Sequence, residues 1–276
     1  MNISCMINSK KKINYILILS CLLFAVFVRA YNIDYDDLWF DEISSFWVSD
    51  PEISFQESLK RHKNIEKTPF LYFSILKINF NLFSYDAATG RNLSLVFNIL
   101  GIIFSTLICK ILKNNNSYIL ALFIFSTNIF LINYSQELRV YSLVFLLSSI
   151  YLFLFIKINK FYKSRQLNFL YLFFISLILI LMLLSHPFCF IIFFSTSFFL
   201  FLEFINKKDI SKTLVYNFYI GLIFSLFIMF FLIDKVGSTP TWIIQPDIKF
   251  YTNFYFSKFF GSRLMGSIHL ILLLSL

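Results

Sequence analysis

The fold of this chain is decided by one stretch, residues 13–42, which reads INYILILSCLLFAVFVRAYNIDYDDLWFDE. Residues 13–30 are almost entirely apolar, and at about 1.5 Å per residue they can cross most of a bilayer as a helix. Asp41 and Glu42 stand side by side shortly after that segment ends. Adjacent carboxylates at a membrane surface are costly to desolvate, so they mark a candidate site. Taken alone, the pair is also what a solvated acidic loop would contain.

The rest of the chain has the composition of a membrane protein. It is 58% hydrophobic and 14% charged, whereas ordinary soluble domains carry about 25% charged residues. We therefore predict an all-α polytopic membrane protein, a single domain over 1–276 with about eight transmembrane helices. After 13–30, the predicted spans are 91–112, 117–133, 140–156, 168–186, 188–205, 214–233 and a last one that begins near 266 and runs to 276.

The distribution of Lys and Arg predicts the orientation of these spans. The segments that would share one side with the N-terminus hold twelve basic residues and a single acid in 38 residues, whereas those on the opposite side hold twelve basic and thirteen acidic residues in 105. Basic residues concentrate on the cytoplasmic side of membrane proteins, so we predict a cytoplasmic N-terminus. The net charge of +9 then reflects topology and does not indicate a nucleic-acid partner. The first side comprises 1–12, 110–116, 157–167 and 206–213, and the second comprises 29–91, 133–139, 185–187 and 234–265.

Two predicted extracytoplasmic segments are long, 31–90 and 234–265. Within the first, residues 69–83 are apolar but interrupted by Ser, Lys and Asn, and Pro69 suits the first turn of a helix. We interpret them as an interfacial amphipathic helix. A further span here would place the later basic loops on the outer side, which argues against it.

Nearly all the polar groups that could carry chemistry fall on the predicted outer side. A carboxylate there can deprotonate an acceptor hydroxyl as a general base, and Lys or Arg can neutralise a phosphate leaving group. Several segments that meet at one end of a helical bundle could together form the cleft of a membrane enzyme. The candidates are Asp41, Glu42, Glu66, Lys67, Arg91, Tyr134, Gln136, Glu137, Arg139, His186 and Trp242.

Each of these candidates also has a purely structural explanation. Arg91 and Arg139 near span ends can extend to the interface as snorkelling side chains, and Glu137 can pair with Arg139. His186 before Pro187 is more often a helix-end residue than a metal ligand. Trp242 can be an interfacial anchor.

In their order along the chain, these motifs resemble those of a known family. After the first apolar span come LWFDE, KTPFLYF, FSYDAATGRNLS, YSQELRVYSL and SHPF. This series is similar to the C-type (GT-C) membrane glycosyltransferases, specifically the bacterial dolichyl-phosphate-mannose–protein mannosyltransferase-like group. That group includes lipopolysaccharide-core and aminoarabinose transferases. The resemblance covers residues 13 to about 265.

The resemblance implies an enzyme of the bacterial inner membrane with its active site on the extracytoplasmic face. Such an enzyme moves a sugar from polyprenyl phosphate to an envelope glycan, lipid or protein. Asp41 would be the general base, with Glu42 beside it, and Glu66 would be a ligand of a divalent metal while Lys67 meets the donor phosphate, although many relatives read His-Pro-Pro here. The remaining matches are Arg91 and Arg139 at the donor phosphate, and Tyr134, Gln136, Glu137, His186 and Trp242 along the cleft.

The chain departs from this family in length. Family members are usually longer, with more spans and often a soluble C-terminal domain, whereas this sequence ends within an apolar run. The expectations that follow are a truncated product, a fragment or a short variant of the family. The alternative function is a non-catalytic membrane protein that binds or moves a lipid-linked glycan, or an inactive relic. Transporters usually place ionisable residues near the bilayer midplane, whereas here most of them lie outside the predicted spans.

Overall fold

A computed structural model describes residues 3–65, 68–113, 117–161, 167–206, 209–233, 247–253 and 261–274. The secondary structure in these ranges is helical, and no strand occurs in them. In chain order the helices are α1 (Ile3–Ala30), α2 (Phe40–Val48), α3 (Phe55–Ile65), α4 (Leu71–Leu82), α5 (Ala87–Leu112), α6 (Ser117–Thr127), α7 (Ile129–Ser135), α8 (Tyr141–Phe161), α9 (Phe169–Leu183), α10 (Cys189–Ile205), α11 (Lys212–Ile233), α12 (Ile248–Asn253) and α13 (Arg263–Leu274).

The all-helical class is confirmed, and helices lie at every predicted span. The predicted number of eight spans is not confirmed. Among the described residues, only α1, α5, α8 and α11 are long and apolar enough to cross a membrane, and α6 with α7 makes a fifth if that bent pair is one span. The apolar helices α9 and α10 are shorter. The chain is therefore a helical protein with four or five candidate membrane spans in its described part.

The span predicted at 117–133 is broken in two. Helices α6 and α7 meet at Asn128 with a bend of 56°, and the Asn128 side chain caps α7 by accepting a hydrogen bond from the Leu131 N–H at 3.0 Å. A break of this kind leaves the last carbonyls of α6 without helical partners. Arg29 of α1 supplies donors to two of them, at 2.9 Å to Ser126 O and 3.1 Å to Phe125 O.

Helices α5 and α8 approach each other closely because of a glycine. A Cβ atom on Gly101 would lie 2.5 Å from Cδ1 of Phe145, so only glycine allows this ring to pack against the backbone of α5. The hydroxyls of Ser105 and Ser149 hydrogen-bond across the same contact at 2.9 Å. Small residues and hydroxyl pairs of this kind are typical of helix packing in membranes.

A network of buried polar side chains joins α8 to three further helices of the bundle, α9, α10 and α11. The Ser176 hydroxyl of α9 donates to Asn217 of α11 at 3.2 Å, and the Asn217 amide donates to the Tyr151 hydroxyl of α8 at 3.3 Å. Tyr151 in turn lies 3.3 Å from the hydroxyl of Thr196 in α10. Because polar groups in an apolar interior need partners, this hydrogen-bond network fixes the packing of the four helices.

The segment between α1 and α5 forms a small helical layer. The predicted helix at 69–83 is confirmed as α4, and its Lys77 ammonium donates to the carbonyls of Asp50 and Ile53, the latter at 2.8 Å. The ring of Phe46 in α2 stacks on Tyr85 at 3.9 Å between centroids. These contacts hold α2, and with it Asp41 and Glu42, against the start of α5. The interfacial placement of α4 stays a prediction.

Candidate active site

Glu42 is the most heavily bonded carboxylate in this region. Its side chain is only 1% exposed. Arg91 donates from Nε to Oε1 at 3.0 Å and from Nη2 to Oε2 at 2.8 Å, which is a bidentate ion pair. The Leu138 N–H donates to Oε1 at 2.7 Å, and Trp39 N–H at the start of α2 donates to Oε2 at 3.4 Å. Glu42 therefore joins three segments that are far apart in sequence.

Arg91 uses its remaining donors on the chain that follows α1. Nη1 donates to the carbonyls of Ile33 and Asp36 at 3.0 and 2.8 Å, and Nη2 donates to the carbonyl of Asp37 at 3.4 Å. With the two bonds to Glu42, all five guanidinium N–H groups have acceptors. A phosphate role for Arg91 stays a prediction, and in this conformation it would require Arg91 to exchange one of these bonds.

Asp41 forms its own ion pair with the second predicted arginine. Its Oδ2 lies 3.3 Å from Nη2 of Arg139, whose Nη1 also donates to the main-chain carbonyl of Asp41 at 3.2 Å. The Asp41 side chain is 31% exposed, against 13% for Arg139. The Arg139 guanidinium also lies over the ring of Tyr141, 5.7 Å from its centroid. Arg139 thus has a fixed carboxylate partner, and that partner is Asp41.

Glu137 is half-buried, and its carboxylate has no hydrogen bond or ion pair to any other described residue. Burial raises the pKa of Glu137 from its ordinary value to about 7, and the nearby negative charge of Glu42 adds to this effect while Arg139 opposes it. The carboxyl is therefore poised between its neutral and charged forms near neutral pH.

Two of the residues predicted along the cleft, Tyr134 and His186, form a row of rings with Tyr141 between them. The Tyr134 and Tyr141 rings lie 4.8 Å apart, and Tyr141 lies 6.0 Å from His186. The His186 Nδ1 accepts a hydrogen bond from the Phe188 N–H at 3.2 Å. Burial, together with the charge of Arg139, lowers the pKa of His186 to about 4. His186 is thus neutral at physiological pH and serves as part of this row of rings.

Gln136 links the segment that follows α7 to the end of α1. Its amide donates to the carbonyls of Arg29 and Tyr31 at 3.1 and 2.9 Å. Sequence reasoning placed Gln136 in the cleft but gave no partner for it. The structure brings Gln136, Glu137 and Arg139 to the same end of the bundle as Asp41, Glu42 and Arg91.

A polar pocket of about 450 Å³ lies beside Glu42, Arg91 and Glu137. It opens beside the chain that follows α1 and beside the end of α7. A larger cavity of about 650 Å³ lies between α5, α8 and α10, but its walls are mostly apolar and contain none of the predicted site residues. The polar pocket is lined by Asn32, Ile33, Asp36, Asp37, Trp39, Glu42, Arg91, Asn133, Gln136 and Glu137.

Three of the predicted site residues, Glu66, Lys67 and Trp242, lie outside the described residues. Their roles in metal binding, phosphate binding and the cleft stay predictions. Within the described ranges, no group of three or more His, Cys, Asp or Glu side chains is arranged to hold a metal ion.

Sequence reasoning did not single out Arg29 as a functional or structural residue. Its side chain is fully buried, and besides the α6 carbonyls it donates from Nε to Oδ1 of Asn98 in α5 at 2.9 Å. The signal was available, because an arginine at the end of an apolar run and an asparagine inside another are both costly in lipid without partners. Arg29 therefore links α1, α5 and α6, and its main-chain carbonyl accepts a hydrogen bond from the pocket-lining Gln136.

Comparison with known proteins adds no assignment. No protein-family model matches this chain, and no curated protein matches it. The fold and the site together define a polytopic helical protein with apolar spans and a polar, ion-paired cleft at one end of the bundle.

Proposed function

We propose that this protein is a glycosyltransferase of the bacterial inner membrane that moves a sugar from a polyprenyl-phosphate donor to a hydroxyl group. The acceptor is an envelope glycan, lipid or protein on the extracytoplasmic face. One observation carries the proposal. Acidic and basic side chains from three distant segments, around residues 41–42, 91 and 137–139, meet beside a polar pocket at one end of an apolar helical bundle.

The reaction requires a base and a cation. The acceptor oxygen attacks the anomeric carbon, its proton passes to a carboxylate, and the bond between that carbon and the phosphate oxygen breaks with inversion. The departing polyprenyl phosphate keeps the electron pair and carries the negative charge. Stabilisation of such charge by fixed donors is usually the largest single contribution to catalysis.

Among the described residues, Arg139 is the better placed of the two predicted arginines for the phosphate. Arg139 is partly exposed and pairs with the carboxylate of Asp41, which is itself 31% exposed, whereas every N–H group of Arg91 has an acceptor within the site. Lys67 remains the other predicted phosphate ligand. Arg91 and Glu42 instead hold the cleft in shape.

The family resemblance assigns the base to Asp41, and that assignment stays a prediction. Its carboxylate lies at the N-terminal end of α2, paired with Arg139. An Asp41 that gave up this pair to take a proton would release Arg139 toward the phosphate in the same step.

The proposal is tested by presenting the purified protein with a panel of undecaprenyl-phosphate sugars and a total envelope extract that retains its glycans, lipids and proteins. We expect one donor to be consumed with release of undecaprenyl phosphate, measured by mass spectrometry. Arg139→Gln should slow this release by about 10²-fold or more, because it removes a donor to the leaving group. The matched control is Arg263→Gln in the exposed part of α13, which should leave the rate unchanged. Failure of the wild-type protein to consume any donor in the panel would contradict the proposal.

A further inference from the structure

Two of the three carboxylates around the ion-paired core are already committed. Glu42 accepts four hydrogen bonds, and Asp41 is paired with Arg139. Asp41 also does not line the polar pocket, whereas Glu137 does. A group that must accept a proton from a ligand needs open access and a free lone pair. Asp41 is 31% exposed but lies outside the pocket lining, whereas Glu137 lines the pocket with an unbonded carboxylate, so Glu137 is better placed to take a proton from a ligand held there.

The charged groups around Glu137 influence whether its carboxyl is protonated. Its ionised form would add a negative charge to a pocket that already contains several carboxylates, with Arg91 as the cation among the lining residues. This environment disfavours an anionic ligand but suits a hydroxyl-rich one, because carboxylate oxygens accept hydrogen bonds from hydroxyls. The charged groups that face Glu137 are Asp41 and Glu42 from α2, Arg91 from α5, Arg139 from its own segment, and Asp36 and Asp37 across the pocket. The titratable hydroxyl of Tyr134, from α7, also faces it.

We propose that Glu137 is the proton acceptor of this site and that the polar pocket holds the hydroxyl-bearing acceptor sugar. In this reaction the acceptor O–H bond breaks, its oxygen forms the new bond to the anomeric carbon, and the proton ends on Glu137. The phosphate leaves with its electron pair toward Arg139. This inference rests on the proposed function, and it moves the base from α2 to the segment that follows α7.

Two further properties of the pocket support this placement. Its volume of about 450 Å³ lies within the range of about 300–1,000 Å³ that is typical of small-molecule sites. The pKa of Glu137, raised by burial to about 7, is close to what an efficient general base needs at neutral pH, since such a group must be ionised and still basic.

The first experiment requires no substrate. Infrared difference spectra of the purified protein between pH 5 and pH 9 report the C=O band of a protonated carboxylic acid. We expect a band that is lost with a midpoint near pH 7 and that is absent from Glu137→Gln. The control Glu52→Gln removes an exposed carboxylate outside the pocket and should keep the band. A spectrum of Glu137→Gln identical to that of the wild type would overturn the inference.

The second experiment uses the donor that the panel identifies. The rate should fall as the pH drops below about 7, because the base must be ionised. Glu137→Gln should lower kcat/KM by about 10²- to 10⁴-fold, whereas Asp41→Asn should retain a fall centred near the same pH. Loss of that fall in Asp41→Asn together with its retention in Glu137→Gln would return the base role to Asp41. If no donor is consumed, the proposed function fails and this inference fails with it, whatever the infrared result.

Discussion

Glu42 and Arg91 are almost completely inaccessible to solvent, with side-chain exposures of 1% and 4%. A buried ion pair of this kind contributes little net stability, but the loss of one partner leaves an uncompensated charge in a low dielectric. We expect Glu42→Gln to lower the free energy of unfolding by about 3–5 kcal/mol, measured by thermal unfolding in detergent. Its matched control is Glu57→Gln, which removes the surface pairs to Lys60 and Arg61 from an exposed carboxylate and should cost about 0–1 kcal/mol. Equal effects of the two substitutions would contradict the buried-pair interpretation.

Contacts between individual residues were the feature that the sequence predicted least well. The chemical types at the site were predictable from the motifs, but their pairing was not. Sequence proximity suggested that Glu137 pairs with Arg139, whereas the guanidinium of Arg139 pairs with Asp41, 98 positions away. No periodicity or spacing reports a contact of that kind, because it depends on how α2 docks against the segment that follows α7.

At the scale of helices, hydropathy predicted where the helices lie but not where they are interrupted. Within the described residues each predicted span lies on a helix, but the run at 117–133 contains a bend at Asn128 that its composition does not reveal. Hydropathy also missed the start of α5, which was predicted at residue 91. The helix begins at Ala87, because Asp86 caps it by accepting a hydrogen bond from the Thr89 N–H at 2.7 Å. Capping depends on one side chain at one position, so an average over a window cannot detect it.

Arg29 gives the bend between α6 and α7 a specific test. It donates to the carbonyls of Phe125 and Ser126, which the break leaves without helical partners. Lysine carries the same charge but lacks the planar fork of donors, so Arg29→Lys should destabilise the protein by about 2–4 kcal/mol in thermal unfolding. Arg263→Lys, on an exposed helix, should have no measurable effect. Unchanged stability in Arg29→Lys would mean that the bend does not depend on this residue.

At the scale of the whole molecule, the structure gathers the site residues at one end of the bundle and places basic side chains at the other. The Lys160 ammonium of α8 donates to the carbonyl of Ile111 near the end of α5. These two positions lie in segments that the charge distribution assigns to the side of the N-terminus. Arg91, at the opposite end of α5, bonds to Glu42. Lys160 and Ile111 therefore lie together at the end of α5 that is away from the Glu42–Arg91 pair, whereas the orientation of the bundle in the membrane stays a prediction.

That orientation can be measured directly with single cysteines. In a background from which the four native cysteines have been replaced, Lys60→Cys would report on exposed α3 and Lys113→Cys on the exposed end of α5. Basic segments are retained on the cytoplasmic side during insertion. We therefore expect a membrane-impermeant maleimide to label Lys60→Cys in intact cells, and Lys113→Cys only after the cells are permeabilised. The reverse pattern would place the ion-paired cleft in the cytoplasm, where an extracytoplasmic acceptor could not reach Glu137 or Arg139, and would contradict the proposed function at its most general level.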